Sequence, residues 1–330
     1  MRSFINRCVL SWFRKRLPPL SSQEKVVLEA GDLWFEQTFF TGKPDWQALF
    51  DLPKPELSQE ETSFLGNEVE QLCALVNDWE ISHQQHDLPE AAWSFIKTHR
   101  FWGLTLSKEE GGHGFSALAH SSIITKLATR SIALAYTVMV PNALGVSVFI
   151  KKFGTSLQKK HYLPRLARGD EISCFALTTP NAGSDAGSIA DSGIVTYGEF
   201  EGLRVLGIRL NFDKRYITLA PVATLIGLAF QLYDPEGLLG SRKEYGISLV
   251  LLPTHLAGIK IGMRHCAGGL GFMNGPLRGQ DVFIPVDYLI GGIEAAGRGW
   301  EMMLSCLALG RGVSLPAISS GIMQLALRAS

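Results

Sequence analysis

Three regimes of hydrophobic patterning follow one another along the chain. From Leu57 to Asp170 apolar residues recur at helical spacing. Within Thr62–Trp79 they fall at Leu65, Val69, Leu72, Cys73 and Val76, one face of a predicted helix. Asp87 precedes Leu88-Pro89-Glu90, an N-cap with a glutamate three residues on, which predicts a helix through Lys97. Trp102–Leu106 reads as a short extended piece. Lys108–Phe115 (KEEGGHGF) reads as a glycine-rich turn, and no Lys-Ser pair follows it to make a phosphate loop. Further helices are predicted over Leu118–Ile132, Pro141–Phe153 and Ser156–Leu166. Lys159, Lys160, His161, Arg165 and Arg168 form a solvated face.

From Glu171 to Val286 the pattern becomes strand-like. Candidate strands are Ser173–Thr178, Ile194–Phe200, Leu203–Leu210, Tyr216–Leu219, Thr224–Leu232, Ile247–Leu252, Ile259–Gly262 and Asp281–Ile284. Turns containing Gly, Pro and Asp separate them, as an antiparallel sheet requires. Gly237–Gly246 is a loop. Beyond Gly292 the chain turns helical again, with Trp300, Met303, Leu304, Leu307, Val313 and Leu315 on the apolar side. Pro316 is placed to kink or break that helix. The fold class is therefore α+β. A basic arm and extension (1–56) precede an N-terminal helical domain (57–170), a central antiparallel β-domain (171–286) and the start of a C-terminal helical bundle (287–330).

Composition changes this picture only at the ends. The 330 residues carry 31 basic and 31 acidic side chains, a balance that does not suggest nucleic acid as a partner. The five cysteines are scattered and form no C-x-x-C pair, so neither a disulfide framework nor a metal site is indicated, and a reducing compartment is expected. The first segment is different: Arg2, Arg7, Arg14, Lys15 and Arg16 alternate with Phe4, Ile5, Val9, Leu10, Trp12 and Phe13, and no acid intervenes. Such a segment suits an anionic membrane surface, a transit peptide, or an arm docked on its own domain. Pro18-Pro19 ends it, Ser22–Trp34 looks helical, and Gly42–Leu57 reads as an irregular connection.

The chemistry concentrates in Cys174–Ser188, CFALTTPNAGSDAGS. A short apolar strand runs into Thr178-Thr179-Pro180, then into a tight turn of small residues, Asn181–Asp185. Such a turn is either a plain β-turn or a set of backbone N–H groups and hydroxyls offered to an anion such as a pyrophosphate. A second segment, Lys214-Arg215-Tyr216-Ile217-Thr218, follows after a hairpin-like stretch, Val195–Leu210.

Together these segments resemble the flavin site of the acyl-coenzyme A dehydrogenase family, which pairs Thr-Glu-Pro-x-Ala-Gly-Ser-Asp with a later Trp-Ile-Thr. Here Thr179 stands where the glutamate is usual and Tyr216 replaces the tryptophan. The glycine-rich turn at Glu109-Glu110-Gly111-Gly112, Tyr162–Gly169 (YLPRLARG) and Leu309-Gly310-Arg311-Gly312 resemble the family at matching places. PVDYLIGG, CLALGRGVSLPA and KRYITLAPVATLIGLAF look closest to the bacterial medium- and long-chain fatty acyl-CoA branch. Compared with that branch, whose membrane segments lie upstream, the chain reads as cut at both ends, before the C-terminal catalytic domain.

The resemblance implies FAD as cofactor. Phe175, Leu177 and Thr178 would line the flavin ring, and Thr178 would bond its pyrimidine side. Gly183 and Ser184 would meet the pyrophosphate, and Ser184 would also face the acyl-CoA. Tyr216, Ile217 and Thr218 would form the ring's other edge, and Arg311 would lie near the CoA chain. The implied reaction takes acyl-CoA to trans-2-enoyl-CoA in fatty-acid beta-oxidation, with hydride passing to flavin N5. An electron-transferring flavoprotein would be the electron acceptor, and a homodimer is implied where the C-terminal domain is present. The chain is expected in the cytoplasm, peripheral at the inner membrane through Arg2–Arg16.

The family's base is a glutamate. In most members it lies further into the C-terminal domain; in a minority it precedes the arginine matched by Arg311, where this chain has Gly310. No residue here is assigned as catalytic base, and Glu301 is only a distant substitute. The alternative is therefore a non-catalytic flavin- or acyl-CoA-binding remnant. An acyl-CoA oxidase would share the fold.

Overall fold

The computed structural model describes residues 2–16, 25 and 35–330, so the helix expected over Ser22–Trp34 lies outside the described residues except at Lys25. The chain forms two compact units, Met1–Leu52 and Pro53–Ser330.

In the first unit, α1 (Arg2–Arg14) has no acid in its opening turn and ends on Arg14. Val9, Leu10, Trp12 and Phe13 are all about half exposed, from 49% to 52%. The Arg16 guanidinium sits 4.2 Å over the Trp12 ring. Phe35–Thr41 is a 3-10 turn. The connection expected from Gly42 contains a short helix, α2 (Trp46–Phe50), because Asp45 accepts from the Ala48 N–H at 3.1 Å and caps it.

The second unit opens with helices that satisfy their ends locally. Ser58 and Glu61 form a reciprocal capping box on α3 (Gln59–Gly66). Glu61 also accepts from the Ser116 N–H at 2.6 Å, tying α3 to the start of α6 (Ala117–Arg130). The single helix expected over Thr62–Trp79 is interrupted: α4 (Glu68–Ala74) restarts after Gly66-Asn67, two weak helix formers in sequence. The helix expected after Asp87, α5 (Glu90–Thr98), starts after Pro89. Asp87 instead accepts from the Leu88 N–H and Trp93 Nε1 at 2.7 and 3.1 Å. No extended piece forms at Trp102–Leu106: a 3-10 turn, Phe101–Gly103, opens it and Leu104 keeps helical dihedrals.

The largest departure is α7 (Ile132–Ala143), which the pattern did not separate from its neighbours. All but two of its residues, Ile132 and Tyr136, are buried, so it carries no polar stripe and shows no helical period. Pro141 lies near its end rather than at the start of the next helix. α8 (Val146–Phe153) follows, then α9 (Ser156–Arg168), closed by Gly169 in the left-handed conformation at φ 74°.

Seven strands form one sheet: β1 (Ser173–Ala176), β2 (Ser192–Phe200), β3 (Leu203–Thr218), β4 (Leu225–Tyr233), β5 (Glu244–Pro253), β6 (Ile259–Ile261) and β7 (Asn274–Pro285). The order is β1-β4-β2-β3-β7-β6, with β5 on the other side of β4. Four pairings are antiparallel, and β1 and β2 both pair β4 in parallel. The two strands expected at Leu203–Leu210 and Tyr216–Leu219 are one long strand. Its polar middle, Asn211–Arg215, is carried by bulges against β7 between Leu210 and Phe212 and between Lys214 and Ile217.

Two hydrophobic clusters join helices and sheet; Phe101 and Phe230 are fully buried in one and Phe149 in the other. Each such ring contributes about 1.5–3 kcal/mol of transfer free energy. α10 (Gly299–Ala329) lies across α6 and α7 and runs unbroken through Pro316. Proline removes the bond to the Gly312 carbonyl, and Gly312 is exposed, so water can take that acceptor.

Candidate functional site

β1 ends at Ala176, and the next two residues leave the sheet toward β3. The Leu177 carbonyl accepts from Lys214 Nζ at 2.9 Å, and the Thr178 carbonyl accepts from the Arg215 N–H at 3.0 Å. Two hydrogen bonds thus join segments 37 residues apart in the chain. Beyond Lys214 the bulge turns Tyr216 outward. Its φ of 57° is in the left-handed region, which non-glycine residues seldom enter, and the side chain is 57% exposed. The Tyr216 ring lies 5.0 Å from His265, and the Arg215 guanidinium 5.6 Å over it. Ile217 returns to the core. Asn274 Nδ2 donates to the Tyr216 carbonyl at 3.2 Å and lies 3.4 Å from Thr218 Oγ1.

The result is a cleft of about 210 Å³ lined by Phe175, Leu177, Thr178, Tyr216, Ile217 and Thr218. Val140, Leu144, Leu307 and Arg311 close it from the helices. Six of the eight expected cofactor residues meet here, together with Arg311. That arginine is exposed, and no carboxylate among the described residues pairs with it. Gly183 and Ser184 do not line the cleft; both are exposed on the turn that follows. Thr179, at the position of the usual glutamate, closes that turn: its Oγ1 accepts from the Ala182 N–H at 3.0 Å, and its own N–H donates to the Ala182 carbonyl at 3.3 Å.

Several functional groups escaped the reading of the sequence. Lys214 was part of a recognised segment but had no role. Its side chain is fully buried, 2.6 Å from Asp191 Oδ2, and Asp191 Oδ1 accepts from the Asp213 N–H at 2.8 Å. Burial pulls the Lys214 ammonium below the ordinary lysine pKa, and the Asp191 carboxylate opposes that shift. The available signal was period two: Phe212 and Lys214 both face inward on β3, and an inward lysine requires a buried acid. Phe149 was missed as well; it stacks on Phe175 at 4.6 Å between centroids and 17° between planes, stiffening one wall.

A second cavity, about 480 Å³, lies along another face of α10. Its walls include His120, Ala143, Val148, Cys306, Gly310 and Ser314. His120 Nε2 lies 2.9 Å from Ser314 Oγ, and burial lowers the imidazole pKa to about 4. Gly310 is glycine for a packing reason. A Cβ there would meet the Ala143 carbonyl oxygen at 2.5 Å and Leu144 Cδ2 at 2.9 Å. Glu301 is remote in role: Arg298 grips it through two bonds of 2.9 and 3.0 Å and lowers its pKa. Among the described residues lining the two cavities none is an acid.

The first cleft suits a flat, partly polar ring. Phe175 and Leu177 offer apolar surface. The Thr178 hydroxyl and N–H engage no partner among the described residues. A Cβ on Gly183 would meet nothing within 4 Å, so nothing in the protein itself requires glycine there. The cleft measures about 210 Å³ and is open on one side, below the roughly 300–1,000 Å³ of a closed ligand pocket.

Residues 56–170 match the family model described as acyl-CoA dehydrogenase, N-terminal domain. Over these residues the chain is similar to the N-terminal domain of the acyl-CoA dehydrogenase family. A protein named HemX from Proteus mirabilis is 46% identical over 102 residues, covering 31% of this chain and 60% of that protein. The probable acyl-CoA dehydrogenase FadE10 of Mycobacterium tuberculosis is 29% identical over 297 residues, 89% of this chain and 43% of that protein. The chain thus spans from 43% to 60% of the length of these relatives. Butyryl-CoA dehydrogenase from Megasphaera elsdenii has the same fold, with a TM-score of 0.70 over 84% of this chain and 69% of that one at 22% identity.

Proposed function

We propose that the cleft holds the ring system of FAD and that the chain works as an acyl-CoA dehydrogenase of fatty-acid beta-oxidation, acting on medium- or long-chain acyl-CoA. The convergence of the Phe175–Thr178 and Tyr216–Thr218 segments on one cleft beside Arg311 carries the proposal. FAD, when bound, supplies the hydride acceptor that turns acyl-CoA into trans-2-enoyl-CoA. Phe175 and Leu177 would offer the ring apolar surface, and Thr178 and Thr218 would offer it hydrogen bonds. Tyr216 excludes water from the open side. Gly183 and Ser184 leave the turn free for a pyrophosphate. Arg311 draws the anionic CoA moiety to the mouth. The cavity beside Gly310 receives the acyl chain, where each buried methylene contributes about 0.8 kcal/mol.

No residue lining these cavities is assigned as the base that would take the α-proton. An electron-transferring flavoprotein accepts the electrons, and a homodimer is the proposed assembly. Arg2–Arg16 would meet anionic lipid, and a peripheral position on the cytoplasmic side of the inner membrane is the proposed location. A second reading, a flavin- or acyl-CoA-binding module without turnover, is favoured by Gly310, where an added Cβ would already meet the Ala143 carbonyl oxygen at 2.5 Å.

Anaerobic titration of the FAD-loaded chain with a long-chain acyl-CoA separates the readings. Loss of the visible flavin band supports the dehydrogenase. A perturbed but undiminished band supports the binding module. A chain that takes up no FAD contradicts both.

A further inference from the structure

We infer that the buried Lys214–Asp191 pair is a positioning lock for the cleft, aiming the Thr178 N–H at the ligand; the inference rests on the flavin reading for the identity of that ligand. Lys214 is 0% exposed and Asp191 4%. Burying two charges costs several kcal/mol per ion before their attraction is counted, so an apolar pair of similar volume would stabilise the sheet at least as well. What the charges add is direction. Lys214 Nζ bonds both Asp191 Oδ2 and the Leu177 carbonyl. Asp191 accepts from the Asp213 N–H through Oδ1, and its own carbonyl accepts from the Gln231 N–H at 2.8 Å. The ion pair therefore ties the exit of β1 to the entry to the β3 bulge, and the Asp191 backbone anchors it beside β4.

The consequence lies in one peptide plane. A trans peptide points its C=O and the following N–H in opposite directions. The Leu177 carbonyl faces the buried ammonium, so the Thr178 N–H faces away from it. Thr178 lines the cleft, and that N–H has no partner among the described residues. The adjoining plane is fixed as well, because the Thr178 carbonyl accepts from the Arg215 N–H. Removing the lock frees the Leu177–Thr178 plane to rotate, and the cleft loses its aimed donor while its walls remain.

The test compares the full chain with Lys214→Met/Asp191→Asn, which removes both charges yet keeps an acceptor for the Asp213 N–H. Melting temperature, hydrogen exchange at the Arg215 amide and FAD affinity are measured together. The lock predicts a melting temperature near that of the wild type, faster exchange at Arg215 and a Kd for FAD raised about tenfold. Wild-type exchange and affinity in this variant would make the pair a structural filler and overturn the inference. Should the double variant not fold, Lys214→Arg, whose fork cannot repeat the ammonium geometry, serves the same comparison. If the wild-type chain takes up no FAD, the flavin reading fails, while the exchange comparison still decides the lock.

Discussion

The two cavities beside α10 are built on opposite principles. Leu307 and Arg311, one helical turn apart, face the cleft of hydroxyls and rings. Cys306, Gly310 and Ser314, at the same spacing, face the largely apolar cavity against α6 and α7. The first depends on where backbone groups point: a bulge, a left-handed Tyr216 and a buried ion pair aim its donors. The second depends on close approach, with no room for a side chain at Gly310. A polar change should therefore damage ligand binding in the first cavity and leave stability intact. A volume or charge change should damage stability in the second.

The largest expected effect is at Gly310. Gly310→Glu pushes a Cβ to 2.5 Å from the Ala143 carbonyl and brings in a buried, unpaired carboxylate. A loss of about 3–5 kcal/mol is expected in urea unfolding. A stable Gly310→Glu chain that reduces flavin would invert the contrast between the cavities.

Next is acidification. The His120 pKa is lowered from 6.5 to about 4 in the folded chain, so the unfolded chain takes the proton first. The contribution is fully present above pH 6.5 and is lost as pH falls from there toward 4, totalling about 3 kcal/mol. Urea curves at pH 7 and pH 5 measure it, and His120→Gln should flatten the difference. An unchanged slope in that variant would assign the acid sensitivity elsewhere.

Thr178→Val is smaller and of the other kind. It removes a half-buried hydroxyl with no protein partner, so the melting temperature should hold while FAD binding weakens by about 1 kcal/mol. Calorimetric titration of the variant beside the wild type checks this. A drop in melting temperature without loss of affinity would count Thr178 as framework.

The smallest effect is at Glu301. Its pair with Arg298 is 41% and 52% exposed, and Glu301→Gln should cost less than about 1 kcal/mol. Flavin reduction should be unaffected, and a loss of reduction would bring Glu301 back as a base.

The sequence carried the order of elements and both cleft segments, because their turns and strand ends are local features. It hid what depends on a distant partner. α7 has no period since nearly all of its faces are buried. β3 looked like two strands because Asn211–Arg215 is polar, and only the sheet shows that Lys214 meets Asp191 inside. Gly310 was legible as the absence of a base, but its packing against Ala143 needed the neighbouring helix. Asp87 resembled a cap by spacing, and only the position of Trp93 shows where its oxygen goes.

The most direct test of the account is FAD titration of the purified chain followed by quenching of flavin fluorescence, beside Tyr216→Ser, an exposed position whose loss leaves the core intact. The account predicts saturation near equimolar FAD in the wild type and clearly weaker binding in the variant. No quenching in the wild type, or identical quenching in both, would contradict the claim that the two segments form one flavin site.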